Sequence, residues 1–265
     1  MRQPAATPAL RPVAVVTGGH QGLGFGAAVE LAKEGFDVAV VDLHAEADPE
    51  VLAAVPADRV RYYQLDIADL SRHRPVLEAV LSDFGRLDCL VNNAGIAARP
   101  LTDILDLSPD AFDRSVDINL RGTFFLTQAF ANLLLEDKGQ VADDAYRSIV
   151  IVSSIAAELV SVDRSQYNVT KSALSMVAKL FAVRLARHGI YVHEIRPGLI
   201  ATAMTASSGS SVPDEWVADG RVPIPRWGQK EDVGQAVATV ASGRLPYMTG
   251  QPIWVAGGMN MMQAP

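Results

Sequence analysis

The stretch Val13-Ala14-Val15-Val16-Thr17-Gly18-Gly19-His20-Gln21-Gly22-Leu23-Gly24, continued by Phe25 to Glu34, decides the fold of this 265-residue chain. Four apolar residues in a row read as a strand buried on both faces. Phe25 to Glu34 has helical spacing and stops at Gly35. The glycines therefore occupy a strand-to-helix turn. Without a Cβ, the backbone there turns sharply and lets a ligand come close. The first helical N–H groups and the positive end of the helix dipole suit a pyrophosphate.

The next strand, Asp37 to Asp42, ends in a carboxylate eighteen residues after Gly24. An acid there accepts hydrogen bonds from the adenosine ribose hydroxyls and repels a 2′-phosphate. No Arg or Lys stands between Gly18 and Gly24, none closely follows Asp42, and Gln21 before Gly22 is neutral. NAD is expected as cofactor over NADP.

Beyond Asp42, strand and helix patterns alternate to the end of the chain. That predicts an α/β, doubly wound Rossmann-type domain: a mainly parallel, seven-stranded sheet flanked by helices. Strands are expected at 59–65, with Asp66 at the carboxyl end, and at 89–91, followed by the polar turn Asn92 to Gly95. Further strands are expected at 148–154, 191–195 and 252–255. Helices are expected over 71–84, from Ser108 through Asn119 towards Leu135, over 167–187 and over 230–242. Residues 1–11, rich in Pro and Ala, read as a loose tail before one domain spanning 12–265. Residues 136–147 read as a solvated insertion. Residues 203–227, rich in Ser, Gly and Pro, read as a lid over the substrate.

Chemistry concentrates in Tyr167-Asn168-Val169-Thr170-Lys171, with Ser154 thirteen residues upstream. Four residues is just over one helical turn, so phenol and ammonium share a helix face. A nearby cation favours the phenolate of a group whose ordinary pKa is near 10. A serine hydroxyl alongside can hold a substrate oxygen while the tyrosine moves a proton. Asn119 stands mid-helix, where propensity disfavours it, so a buried Asn119 needs a reason.

Together, Thr17 to Gly24, Asp66, Asn92 to Gly95, Asn119, Ser154, Tyr167, Lys171 and Pro197-Gly198 resemble the short-chain dehydrogenase/reductase family. The resemblance runs from about Val13 to Met259 and is nearest to the 3-oxoacyl-(acyl carrier protein) reductase-like branch. It implies catalysis by Ser154, Tyr167 and Lys171, with Asn119 holding a water in a proton relay. It places Asp66 on the adenine amino group with Ile67 beside the ring, and Asn93, Ala94 and Gly95 near the ribose. Pro197, Gly198, Ile200 and Thr202 hold the carboxamide end. Gly18, Gln21, Gly22, Leu23, Gly24, Asp42 and Leu43 complete the expected cofactor contacts, which Tyr167 and Lys171 share. The family's habit is a dimer or tetramer with the Asn119 and Tyr167 helices at one interface. The chain departs from the family at His193, where asparagine is common, and at Ala256, where an acid usually precedes Gly257-Gly258.

The implied activity is interconversion of a secondary alcohol and a ketone with NAD. One alternative is reduction of a 3-oxoacyl group on an acyl carrier protein; another is a non-catalytic nucleotide sensor on the same fold. Five histidines show no metal spacing and the single Cys89 forms no cluster, so no metal is expected. Ser154 lacks the Gly-x-Ser-x-Gly setting of a hydrolase. A net charge of −7 without a basic stripe argues against nucleic acid and anionic membranes as partners. A lone cysteine and no long apolar run suit a cytoplasmic protein.

Overall fold

In the computed structural model, which describes residues 11–136, 145–203 and 217–261, seven parallel strands form one sheet in the order β3-β2-β1-β4-β5-β6-β7. They are β1 (Val13–Thr17), β2 (Asp37–Asp42), β3 (Val60–Gln64), β4 (Cys89–Asn92), β5 (Arg147–Val152), β6 (Ile190–Pro197) and β7 (Pro252–Val255). Chain order reverses direction between β1 and β4, and ligands of such sheets bind outside the strand ends at that switch. Helices cover both faces, so the central strands are apolar on both sides and every residue of β1 is buried. One apolar cluster, centred on Leu90, Leu126, Phe130 and Leu174, lies on one face. The other gathers Leu31, Phe36, Val91 and Val237. Full burial of one such side chain stabilises by about 1.5–3 kcal/mol.

The helices are α1 (Gly22–Lys33), α2 (Pro49–Ala54), α3 (His73–Phe84), α4 (Pro109–Ser115), α5 (Thr123–Glu136), α6 (Ser165–Leu185) and α7 (Lys230–Ala241). Helices α1 and α7 pack backbone to backbone. A Cβ on Gly26 would lie 2.5 Å from the Lys230 carbonyl oxygen, and one on Gly234 would lie 2.5 Å from that of Gly26. Helix α6 ends through a tight turn at Gly189, whose φ of 69° suits glycine.

Several boundaries differ from the sequence expectation. Helix α2 is an addition: Asp48 accepts from the Glu50 N–H and Pro49 occupies the first turn, a capped start that six residues of helix follow. The helix expected from Ser108 to Leu135 is continuous in course but widens into a π-helical stretch, Val116–Gly122, around Asn119. Strand β6 extends two residues further, to Pro197. Residue Arg11, expected in the tail, pairs with Asp37 at 2.7 Å; residues 1–10 lie outside the described residues. Most of the 136–147 insertion and residues 204–216 of the expected lid also lie outside them. The described remainder of that lid holds a π-helical turn, Val217–Arg221. Among the described residues no helix is long and apolar enough to cross a membrane, and no His, Cys, Asp or Glu cluster could hold a metal.

Candidate active site

Helix α6 and the end of β5 bring the catalytic candidates together. After Val152 the chain turns at Ser154, which caps a short turn, its Oγ accepting from the Ala156 N–H at 3.1 Å. Helix α6 is pinned over this turn: the Asn168 amide donates to the Ala156 and Leu159 carbonyls at 2.7 and 2.6 Å, and Ser172 donates to Ala157. That clamp sets Ser154 against Tyr167. One helical turn on, the buried Lys171 donates from Nζ to the Val152 carbonyl at 3.0 Å, with Nζ 5.5 Å from the centre of the Tyr167 ring.

The electrostatics qualify the sequence reading of this pair. Burial pushes Tyr167 up from its ordinary value, while the Ser154 hydroxyl and then the Arg164 charge pull it down. The pKa of Lys171 is itself pushed down to about 8 by burial. A lysine at that value is still mostly protonated at neutral pH.

Asn119 is fully buried, and the reason is backbone pairing. Its Oδ1 accepts from the Ile96 N–H at 2.7 Å and its Nδ2 donates to the Ile96 carbonyl at 3.0 Å. The side chain thus fixes the strand-end segment carrying Gly95, where a Cβ would come 2.9 Å from that same Oδ1. It stands behind the cavity wall, not in it.

The glycine turn is tied to the ends of β2 and β4. Gly18 donates to the Val41 carbonyl at 2.8 Å, and the Asn93 amide donates to the Thr17 and Gly18 carbonyls at 3.1 Å each. Thr17 Oγ1 accepts from the Asn93 and Ala94 N–H groups. Gly18 and Gly22 have φ of 65° and 58°, a left-handed backbone that glycine tolerates. Gly24, expected at the cofactor, instead gives room to the turn itself: a Cβ there would run into the Gly18 carbonyl oxygen. At the end of β2, Asp42 Oδ2 accepts from the His20 N–H at 3.2 Å and Oδ1 meets His44 Nδ1 at 2.7 Å.

One cavity of about 600 Å³ joins these parts. Of the expected residues, Gly18, Gln21, Gly22, Leu23, Asp42, Leu43, Asp66, Ile67, Asn93, Ala94, Gly95, Ser154, Tyr167, Lys171, Pro197, Gly198, Ile200 and Thr202 line it. Gly24 and Asn119 do not. The lining also includes residues that the motifs left out, among them His44, Ile96, Arg114 and Ile118. His44 stands two residues beyond the signature acid, and Arg114 and Ile118 share the helical spacing that leads to Asn119. The Cβ-free turn, the acid at the end of β2 and one cavity lined by both Asp42 and Lys171 fit a dinucleotide. Two buried groups lie outside the site. Cys89 is buried, with its thiol pushed up to about 12. His193 is buried with Nε2 2.9 Å from the Tyr146 hydroxyl, and its pKa is pushed down to about 4 by burial.

A doubly wound sheet with a glycine turn, an acid after β2 and a serine, tyrosine and lysine around one cleft defines a nicotinamide-dependent oxidoreductase. The family model described as Enoyl-(Acyl carrier protein) reductase matches residues 18–260. The 3-oxoacyl-(acyl-carrier-protein) reductase FabG of Staphylococcus aureus is 32% identical over 252 residues, covering 94% of this chain and 98% of its own. The (3R)-3-hydroxyacyl-CoA dehydrogenase of Canis lupus familiaris is 32% identical over 259 residues, covering 94% and 96%. The crystal structure of a 3-oxoacyl-(acyl-carrier protein) reductase from Brucella melitensis in complex with NAD matches at a TM-score of 0.89. It is 39% identical and covers 97% of this chain and 100% of that one. The chain belongs to the short-chain dehydrogenase/reductase family, in its 3-oxoacyl-(acyl carrier protein) reductase-like branch. It is an oxidoreductase acting on a CH–OH group of a small molecule.

Proposed function

We propose that this enzyme uses NAD to interconvert a secondary alcohol and its ketone, with Tyr167 as the proton-transferring group. The observation that carries the reading is the placing of Ser154, Tyr167 and Lys171 on the same cavity as Asp42 and the glycine turn. The nicotinamide, when bound, accepts or donates the hydride. In oxidation Tyr167, as phenolate, takes the hydroxyl proton and becomes the neutral phenol. Ser154 holds the substrate oxygen, and its hydroxyl already acts on the Tyr167 phenol. Lys171 holds positive charge beside the ring and offers its remaining N–H groups to the nicotinamide ribose. Asn119 contributes by fixing Ile96 and Gly95; a water held in its neighbourhood would complete the proton path. The protein supplies geometry and a proton route.

NAD is favoured over NADP because Asp42 presents its carboxylate to the cavity where the adenosine ribose belongs. The NAD complex of the 39% identical Brucella melitensis protein supports this. The names of the relatives favour a 3-oxoacyl or 3-hydroxyacyl substrate within the alcohol–ketone class. Residues 203–227 leave and rejoin the cleft at one place, since Ala201 donates to the Gly228 carbonyl and Gly228 to that of Leu199. That placing supports a cover over the substrate. The exposed apolar side chains Val169, Met176, Leu180 and Val183 of α6, with Phe125 of α5, support a dimer or tetramer through these helices. The test is calorimetric titration with both nucleotides, followed by turnover of short 3-hydroxyacyl thioesters and simple secondary alcohols. NAD should bind at least about tenfold tighter, a gap of about 1.4 kcal/mol. Equal or reversed affinities refute the NAD assignment, and failure on every alcohol and ketone refutes the reaction.

A further inference from the structure

Asp42 does not face the adenosine end of the cavity alone. His44 places Nδ1 2.7 Å from Asp42 Oδ1, and the His20 and His44 rings stack with centroids 4.2 Å apart and planes 15° apart. An ionised carboxylate only accepts, so the Nδ1 facing it carries the proton and Nε2 stays available. Residues 17–24 and 42–48 contain no Arg or Lys. Within these two segments only His20 and His44 can become positive.

The two rings differ in their means of doing so. The His44 side chain is 56% exposed and sits on a carboxylate that is 11% exposed. His20 Nδ1 is buried and has no hydrogen-bond partner among the described residues. Of the two rings, His44 is the one that sets a nitrogen on the Asp42 carboxylate. The other groups facing this corner do not take that role. Tyr62 donates its hydroxyl to the His44 carbonyl at 2.7 Å, and burial pushes its pKa up to about 12. Gln64 donates to the Leu43 carbonyl, and Asp66 lines the same cavity. Glu46 and Asp48 follow in the same loop.

We infer that His44 is a specificity-determining residue whose protonation relaxes the discrimination of Asp42 against a 2′-phosphorylated dinucleotide. With His44 neutral, Asp42 carries an uncompensated negative charge and accepts the ribose hydroxyls. With His44 protonated, the pair is net neutral and Nε2–H becomes a donor for a phosphate oxygen. Proton binding at His44 and 2′-phosphate binding are then linked and reciprocal. The inference rests on the NAD-dependent reading proposed above.

The test measures dissociation constants of NAD and NADP across the histidine range, about pH 5.5 to 8.5, in the wild type, His44→Asn and His20→Asn. The ratio of the NADP to the NAD constant should fall by about fivefold or more from the alkaline to the acid end in the wild type. His20→Asn keeps the backbone N–H bond to Asp42 and should show the same fall. In His44→Asn the fall should be smaller than in the wild type by about threefold or more. The 2′-phosphate itself titrates near pH 6, but it does so equally in all three proteins, so the difference between them isolates His44. A ratio that pH does not move, or a His44→Asn ratio that tracks the wild type, overturns the inference while leaving NAD binding intact. If the wild type binds neither nucleotide at any pH, the proposed function fails and this inference falls with it.

Discussion

Replacing Glu194 with Ala should cost about 3–5 kcal/mol of stability, the scale for removing one member of a buried ion pair. Glu194 lies in β6 with no exposed surface, and its Oε1 accepts from Ser153 Oγ at 2.6 Å, Ser175 Oγ at 2.7 Å and Arg196 Nε at 2.6 Å. Arg196 is 4% exposed and lies over the Trp254 ring at 4.8 Å. Without Glu194 the guanidinium keeps, among the described residues, only Glu158 as carboxylate partner, and that side chain is 61% exposed and screened by water. Ser175 also loses its acceptor, at roughly 1–3 kcal/mol if left unpaired, while Ser153 falls back on the longer bond to the Ile195 carbonyl at 3.3 Å. Some of this overlaps with the ion-pair figure, so the sum is not additive. For a chain of this size about 1 kcal/mol shifts Tm by about 2–4 °C, so a fall of roughly 10 °C is expected by scanning calorimetry. The double replacement Glu194→Leu with Arg196→Met should recover much of it, because no charge is then left buried alone. A Glu194→Ala protein within about 1 kcal/mol of the wild type would refute the reasoning.

Acid should destabilise the enzyme through His193. Its folded value of about 4 lies below the free histidine value near 6.5, so the unfolded chain binds the extra proton. Stability from this group is complete above about pH 6.5 and is lost as pH falls towards 4, about 3 kcal/mol in all. Urea titrations at both ends, with His193→Asn as control, measure it, and equal pH slopes in the two proteins would contradict it. Gly24→Ala should weaken NAD binding by tenfold or more, about 1.4 kcal/mol, because the added methyl group pushes on the Gly18 carbonyl and the Asn93 amide; unaltered affinity by calorimetry would count against that packing. Deuterium uptake by amides of residues 203–227 should fall when NAD and a substrate analogue are added. Uptake unchanged by ligand would make the segment a fixed wall.

The sheet was legible because its signals are local. Val13 to Val16, Val38 to Val41 and Ile149 to Val152 are unbroken apolar runs, and each is bounded by a turn residue or a polar end. Tyr167 and Lys171 were legible because a helical turn fixes their spacing, and Ser154 because it follows an apolar strand run. What escaped depends on distant partners. The partner of the Asn119 amide, Ile96, stands twenty-three residues earlier in the chain, so no local signal shows the pairing. Gly24 reads as a cofactor contact, but the clash it avoids is with Gly18 and Asn93. The charges of Glu194 and Arg196 sit in a strand that must be buried, and only the fold brings Ser153 and Ser175 to them. Lys171 reads as the group that lowers the Tyr167 pKa, yet burial acts on both side chains and in opposite directions.

The central claim is that Tyr167 moves the proton during hydride transfer, and Tyr167→Phe tests it most directly. NADH formation would be followed with the best alcohol substrate, alongside calorimetric NAD binding and a thermal scan of the same protein. The account predicts an unchanged fold, NAD affinity within about twofold of the wild type, and a turnover lower by about a hundredfold or more. Turnover near the wild-type rate in a folded, NAD-binding Tyr167→Phe protein would contradict it.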